Sequence, residues 1–425
     1  MDNFQKNGKS NTHNSPRTRS APKNGAKQNK VNGAKKKDEK KSKFIKTPAV
    51  TVTRSAIDRP MMIIIFLLTA FGTVMVFSSS FASAYTQKGD SMYYIKKQIL
   101  FLSLGLVCLL VSANFINYRL LRHFTPHIFI VSVALLIIVL VLGVSRGVAR
   151  RWIYLGPISI QPSEIMKLAL VLLLAHYFAI YQDRVTNYRN FWESSKWGIF
   201  VPYGITVGVL LLVALEKHFS GVIIIALIAT VVIVAAGARP FWFFVVGGGG
   251  SVLLLAVILL TDYAKERIDL WLHPENYEIT GKIWQTVQGL NAIGSGGLLG
   301  VGLGNSYQKY NYVSEPQNDF IFSIICEELG FVGALAVIAL FVLFIWRGLV
   351  IALKAPDTYS SLVAIGIVAH VGIQAVLNIA VVTATIPNTG ITLPFFSYGG
   401  TSTLLLMTEM GILLSISRYS YHDKL

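Results

Sequence analysis

The chain has 425 residues, of which 53% are hydrophobic and only 14% charged. That is too little polar material to cover soluble domains of this length, which excludes a wholly soluble protein and implies an integral membrane one. The formal charge of +17 suggests a nucleic-acid partner only until it is located: sixteen of the 38 Lys and Arg fall within residues 1–60, against four Asp and Glu, so the excess belongs to a tail and no nucleic acid is implied.

Within a tail over residues 1–56, the stretch 6–43 is rich in Lys, Asn, Gly and Ser and almost free of apolar side chains. Such a segment cannot offset its ordering entropy by burial, and a disordered basic tail is expected. Lys and Arg beside a first hydrophobic span are retained on the cytoplasmic side, which sets the orientation of the membrane domain. The tail is either a solvated topology signal or one that also grazes anionic headgroups. The apolar run after it is too long and too far from the start for a cleaved signal peptide.

A bilayer core of about 30 Å needs roughly 20 apolar residues per helix. Ten runs meet that measure, at 61–82, 98–113, 128–144, 164–181, 198–215, 220–236, 241–260, 320–345, 360–385 and 398–416. An all-α membrane domain over 57–418 is therefore expected. The even count places the tail and a short C-terminal stretch, 419–425, both in the cytoplasm. Only 262–318, between the seventh and eighth helices, is long enough to fold outside the bilayer, as a large extracellular loop. Outside the tail, Lys and Arg divide almost evenly, ten inside and eleven outside. Short outer loops normally avoid these residues, so Arg146, Arg150 and Arg151 point either to an external anionic ligand or to tolerated interfacial anchors. Cys108 and Cys326 lie in apolar runs and suggest no thiol chemistry.

Three stretches could carry chemistry. In RRWIYLGPISIQPSEIMKLAL (150–170) a helix is expected to start at Pro162, with Gln161 or Ser163 satisfying free N–H groups and Glu164 favouring the positive helix end. Glu164 and Lys167 then share one face, the lysine about 4–5 Å deeper. They form either a self-neutralising pair that pins helices or, with Arg150, Arg151 and Trp152 nearby, part of a phosphate-facing pocket. In the long loop, GSGGLLGVGLGN follows no strand and lacks the Gly-Lys-Ser/Thr ending of a phosphate loop, so its glycines are read as turns and close backbone approaches. Asp319 stands at the outer end of the eighth span, where it is either an N-cap or, with Glu315, a carboxylate able to act as general base on a hydroxyl. Glu327 and Glu328, deeper in that helix, are expected to make structural polar contacts, as are Asn378, His370 and Glu409 in theirs. In TIPNTGITLPFFSYGGTS (385–402) repeated Pro and Gly break helix geometry, which within a membrane requires a cavity wall or a re-entrant element. Ser397, Gly399 and Gly400 are its residues expected on the substrate side.

RRWIYLGPISIQPSEIMKLAL, GLGNSYQKYNYVSEPQNDFIFSIICEELG and PNTGITLPFFSYGGTS, in this order, resemble the SEDS family (shape, elongation, division and sporulation) over about residues 57–418. The resemblance implies a ten-helix peptidoglycan glycosyltransferase that polymerises lipid II on the outer face of a bacterial cytoplasmic membrane and releases undecaprenyl diphosphate. By motif, Asp319 matches the family's essential acid, and Glu164 and Lys167 its functional Glu and Lys. It also implies a divalent cation, Mg²⁺-like and of unknown site, and action with a class B penicillin-binding protein and other divisome proteins at the division septum.

The GLGNSYQK run is closer to the division branch than to the elongation branch, with sporulation as the related alternative. Two departures stand out. The family's Pro-Asp-x-Gly is replaced by Glu216-Lys217-His218-Phe219-Ser220-Gly221, to which no role is transferred. The family's Leu-Pro-Glu-x-His-Thr-Asp reads Val313-Ser314-Glu315-Pro316-Gln317-Asn318-Asp319 here. A lipid II flippase and a non-catalytic scaffold that activates a transpeptidase are the competing readings.

Overall fold

The computed structural model describes residues 56–146, 149–155, 158–260, 262–277, 281 and 283–419, so the expected tail up to residue 55 and residues 420–425 lie outside it. Among the described residues, eight helical stretches are long and apolar enough to cross a bilayer. They are α1 (Arg59–Lys88), α2 (Tyr93–Asn114), α3 (Tyr118–Leu142), α4 (Pro162–Val185), the continuous stretch Phe191–Leu215, α11 (Ile321–Leu353), α12 (Thr358–Val382) and α13 (Gly400–Ser417). The stretch Phe191–Leu215 consists of α5 (Phe191–Ser195), a π turn at Lys196–Phe200 and α6 (Val201–Leu215). Two further apolar helices, α7 (Phe219–Ala235) and α8 (Pro240–Leu260), complete the ten expected spans.

Local chemistry sets the helix ends. Asp58 caps α1 by accepting from the Met61 N–H at 2.9 Å, and Gly89 ends that helix at φ 70°. Asp58 also receives the Arg347 guanidinium, at 3.0 Å from Nε, which ties the N-terminal end of α1 to α11. The third helix begins ten residues before its apolar run because Asn117 caps it, accepting from the Arg119 N–H at 3.0 Å.

The centre of the bundle is α4, α12 and α13, with 61, 61 and 67% of their apolar windows buried, against 22% for α2 and α3. These are the helices that carry Glu164, Lys167, His370, Asn378 and Glu409. Membrane helices associate through close backbone approach rather than by hydrophobic exclusion. Gly411 shows this directly, since a Cβ there would stand 2.6 Å from the Leu109 carbonyl oxygen of α2.

Two of the segments between helices are not plain loop. Between α3 and α4 the chain forms an antiparallel meander of β1 (Val144–Arg146), β2 (Ala149–Leu155) and β3 (Ile158–Ile160), paired β1–β2–β3. Its strands are short, of three, seven and three residues, and β1 and β2 carry Arg among the apolar residues. The large loop contains α9 (Asp262–Leu272) and α10 (Trp284–Ser295). Trp271 of α9 donates to the Ala384 carbonyl at 2.7 Å, fixing that helix beside the outer end of α12.

The glycine-rich run after α10 does what its composition suggests. Helix α11 is interrupted at Gly330 (φ 65°, ψ −163°), and the exposed backbone there bonds to the run: the Val301 and Gly302 N–H groups donate to the Glu327 and Glu328 carbonyls at 2.9 and 3.0 Å, and the Phe331 N–H to Gly297 at 2.9 Å. A Cβ at Gly300, itself at φ 79°, would come within 2.2 Å of the Glu328 carbonyl oxygen. Broken helix and loop complete each other.

The two carboxylates beside the break hold the next stretch. Glu327 accepts from Ser306 Oγ at 2.5 Å and from the Tyr307 N–H at 2.8 Å; Glu328 accepts from Ser78 Oγ at 2.6 Å and pairs with Lys309 Nζ at 2.9 Å. Both members of the Lys309–Glu328 pair are fully buried. Removing one partner strands a buried charge, a loss of about 3–5 kcal/mol. Lys309→Met is therefore expected to lower unfolding stability in detergent by about that amount and to expose the 300–310 stretch to protease; an unchanged melt and digestion pattern would show that the pair does not anchor the loop.

Candidate functional site

Residues 386–399 have no regular secondary structure, yet Ile391, Leu393, Phe395 and Phe396 are buried. A backbone of this kind must find its hydrogen bonds in neighbouring protein. Asn378 Nδ2 donates to the Ile391 carbonyl at 2.6 Å, and Gln374 Nε2 to that of Thr392 at 3.0 Å. Ser397 Oγ accepts from the Leu393 N–H at 2.7 Å and donates to the Asn318 carbonyl at 2.6 Å, while the Tyr398 N–H donates to Gln317 at 2.8 Å. The third motif is thus clamped between α12 and the chain leading into α11.

Asp319 sits in that lead-in. Its carbonyl accepts from Asn378 Nδ2 at 2.7 Å, so one asparagine joins it to the 386–399 segment. Its half-buried carboxyl faces Gly390 (φ 65°), where a Cβ would lie 3.6 Å from Oδ2. The capping reading does not hold, because Phe320 is the N-cap of α11 and receives no side-chain bond. Burial pushes the Asp319 carboxyl up to about 6; its own backbone N–H opposes the rise and the Glu315 carboxylate adds to it. Glu315 is exposed, at φ 52°, and accepts from Asn318 Nδ2 at 2.6 Å.

The first motif meets the same segment from the other flank. In the first turn of α4, Glu164 pairs with Lys167 Nζ at 2.8 Å, and the same ammonium donates to Gln374 Oε1 at 3.0 Å. Glu164, His370, Gln374, residues 392–395, Ser397 and Glu409 line a small cavity that opens to solvent. Lys167 is only 3% exposed and lies behind this lining. The cavity wall expected from the third motif is therefore present at residues 392–395 and Ser397, while Gly390, in the same irregular segment but outside that lining, stands beside Asp319.

Other expected site residues separate from the cavity. Ser163 Oγ and Gln161 Nε2 lie 3.1 and 3.4 Å from His218 Nδ1, and neither side chain caps α4. Arg151, on β2, donates to the Lys217 carbonyl at 2.5 Å; Trp152 is half-buried on the same strand, and the Arg150 side chain lies outside the described residues. Gly399 and Gly400 start α13 against α2, where the Gly399 N–H reaches Gln98 Oε1 at 3.5 Å and a Cβ on Gly400 would meet the Phe101 ring at 2.8 Å.

The α6–α7 hairpin, to which the sequence gives no role, forms part of this surrounding. Burial pushes the Glu216 carboxyl up to about 8 against the pull of the Arg151 charge. Burial holds the His218 imidazole down at about 4, with the Arg151 and Lys167 charges adding to the depression and Glu164 opposing it. In both groups burial favours the neutral form. The signal in the sequence is two ionisable residues confined to a hairpin too short to expose them both.

The chain is similar to known proteins over most of its length. The family model described as "Cell cycle protein", covering FtsW, RodA and SpoVE, matches residues 58–422. Stage V sporulation protein E of Bacillus subtilis is 39% identical over 373 residues, 87% of this chain and 100% of that protein. The probable peptidoglycan glycosyltransferase FtsW of Trichlorobacter lovleyi is 37% identical over 363 residues, 85% and 93% of the two chains. A solved structure described as showing structural coordination of polymerization and crosslinking by a peptidoglycan synthase complex superposes with a TM-score of 0.71 at 27% identity, over 87% of this chain and 99% of that one. With its motifs in order, its ten helices and a family match across the whole membrane domain, the chain belongs to the FtsW, RodA and SpoVE family.

Proposed function

We propose that this multi-pass membrane protein is a peptidoglycan glycosyltransferase that polymerises lipid II at the outer face of the cytoplasmic membrane, with Asp319 as general base. The observation that carries the reading is the Asp319 carboxyl itself. It caps no helix, it stands where the outer loop enters the membrane domain, and it is pushed up to about 6. A carboxylate so placed is ionised at neutral pH and still basic enough to take a proton in the transition state.

In this reaction the GlcNAc 4-hydroxyl attacks the anomeric carbon of a MurNAc. The new C–O bond forms as the bond to undecaprenyl diphosphate breaks, the diphosphate leaves with the electron pair, and Asp319 receives the hydroxyl proton. A diphosphate needs positive charge rather than a general acid. Lys167, behind Glu164 in the cavity lining, and Arg151 on the meander supply it in this reading. The lipid tail stays in the bilayer while the headgroup reaches the loop.

The divalent cation implied by the resemblance finds no preassembled cage, since among the described residues no three His, Cys, Asp or Glu side chains gather to hold one. Mg²⁺ takes most of its ligands from phosphate oxygens and water, so when bound it would be held mainly by the diphosphate and would supply positive charge there. A class B penicillin-binding protein is the partner that would crosslink the product, a role supported by the likeness to a synthase complex. Both termini are assigned to the cytoplasm and the protein to the division septum. The similarity to Stage V sporulation protein E makes sporulation the alternative setting.

Asp319→Asn keeps the shape and removes the base, so glycan polymer formed from lipid II by the full chain with its transpeptidase is expected to fall by at least about 10²-fold with an unchanged melting temperature. Undiminished polymer would remove Asp319 from the mechanism. Loss of lipid II transfer across liposomes with polymerisation retained would instead favour a flippase.

The pH dependence has a definite sign. The base acts when deprotonated, so turnover in the wild type rises about tenfold per pH unit below about 6 and levels above it. A wild-type profile flat from pH 5 to pH 7 would contradict the assignment.

A further inference from the structure

The floor of the cavity holds a second buried pair that the glycosyl-transfer mechanism does not use. His370 of α12 and Glu409 of α13 are both buried, with His370 Nδ1 2.9 Å from Glu409 Oε2. On its other side His370 Nε2 is 3.0 Å from Gln374 Oε1, the oxygen that also accepts from Lys167 Nζ at 3.0 Å. Five side chains from three helices, Glu164, Lys167, Gln374, His370 and Glu409, thus form one unbroken chain along the cavity.

Donor counting fixes the protons in this chain. Gln374 Nε2 lies 3.0 Å from the Thr392 carbonyl, which can only accept, so the amide nitrogen faces Thr392. Oε1 then faces Lys167 and His370 and can only accept. Lys167 is a donor by nature, and His370 must carry a hydrogen on Nε2. Between Nδ1 and Glu409, 2.9 Å apart, a further proton is required, held on the imidazole or on the carboxyl. In either case the pair is neutral as a whole and the imidazole is locked with Nε2–H towards Gln374. Without Glu409 the hydrogen can move to Nδ1. The bare Nε2 would then face Oε1, the amide would turn over, and its NH₂ would be set against the Lys167 ammonium.

We propose that His370 and Glu409 are positioning residues for the glycosyl transfer: they fix the orientation of the Gln374 amide, which holds the Lys167 ammonium against Glu164 at the cavity. This rests on the polymerase reading for its kinetic consequence, while the geometry it claims can be read without activity.

The test compares Glu409→Leu, His370→Leu and Glu409→Gln in the full chain. A glutamine at 409 donates its N–H to Nδ1 and keeps Nε2–H towards Gln374, so it preserves the orientation without the charge. The leucines do not. For the leucine variants kcat for lipid II polymerisation is expected to fall by about tenfold or more with KM little changed, and Glu409→Gln to stay within about threefold of wild type.

Labelling of Lys167 by a small acylating reagent, read by mass spectrometry, is the activity-independent measurement. Protection is expected in wild type and Glu409→Gln, and a several-fold rise in the leucine variants. Should these fail to fold, His370→Asn keeps a donor for Glu409 but cannot reach Gln374, and must show the same rise. Folded variants with unchanged labelling would overturn the proposal, as would a Glu409→Gln variant as impaired as Glu409→Leu. A wild type that makes no polymer under any condition would sink the polymerase reading, leaving the labelling to decide this one.

Discussion

The site depends on one constraint: the backbone of 386–399 is irregular, largely buried over 391–397 and inside a membrane protein, so its buried polar groups have to be met by neighbours. Asn378, Gln374 and Ser397 meet several of them, and each also binds something with a place in the chemistry. Asn378 holds the Asp319 carbonyl, Gln374 holds Lys167, and Ser397 holds the carbonyl of Asn318, next to Asp319. Satisfying this backbone and aligning the site are therefore one event. A change that loosens the segment is transmitted to both the carboxylate and the ammonium.

The outer loop follows the same logic with different chemistry. The helix leading from Asp319 is broken at Gly330, and the break is stabilised by the glycine-rich run and by two buried carboxylates that hold residues 301–309. Glycine is needed where two backbones approach without room for a Cβ, and Glu327 and Glu328 where a loop must be held by more than apolar contact. The result is a loop bonded to the broken helix at many points, built from a segment that in composition resembles a flexible linker.

Much of this is legible in the sequence, for physical reasons that also mark where legibility stops. Ten apolar runs are readable because each must cover about 30 Å of hydrocarbon by itself. The helix start at Pro162 and the pairing of Glu164 with Lys167 follow from spacing along a single helix. The role of the 385–402 stretch as a cavity wall follows from its Pro and Gly content at membrane depth. The meander between α3 and α4 is not readable, since strands of three to seven residues, separated by Gly and Pro in the sequence, are too short for sustained alternation. Nor are partners across the bundle. Nothing in the spacing of His370 and Glu409 says that they face each other, that Gln374 stands between His370 and Lys167, or that His218 turns to Ser163, because these contacts are made only when α4, α7, α12 and α13 pack.

The central claim is that the acid at the head of α11 and the ammonium behind the cavity act on one substrate across the 386–399 segment. A structure of the protein with a non-reactive lipid II analogue tests it most directly. The account predicts the acceptor hydroxyl within about 2.6–3.2 Å of the Asp319 carboxylate, with the diphosphate on the Glu164 and Lys167 side. A sugar bound with its hydroxyl remote from Asp319, or a diphosphate on the far side of the bundle from Glu164, would contradict it.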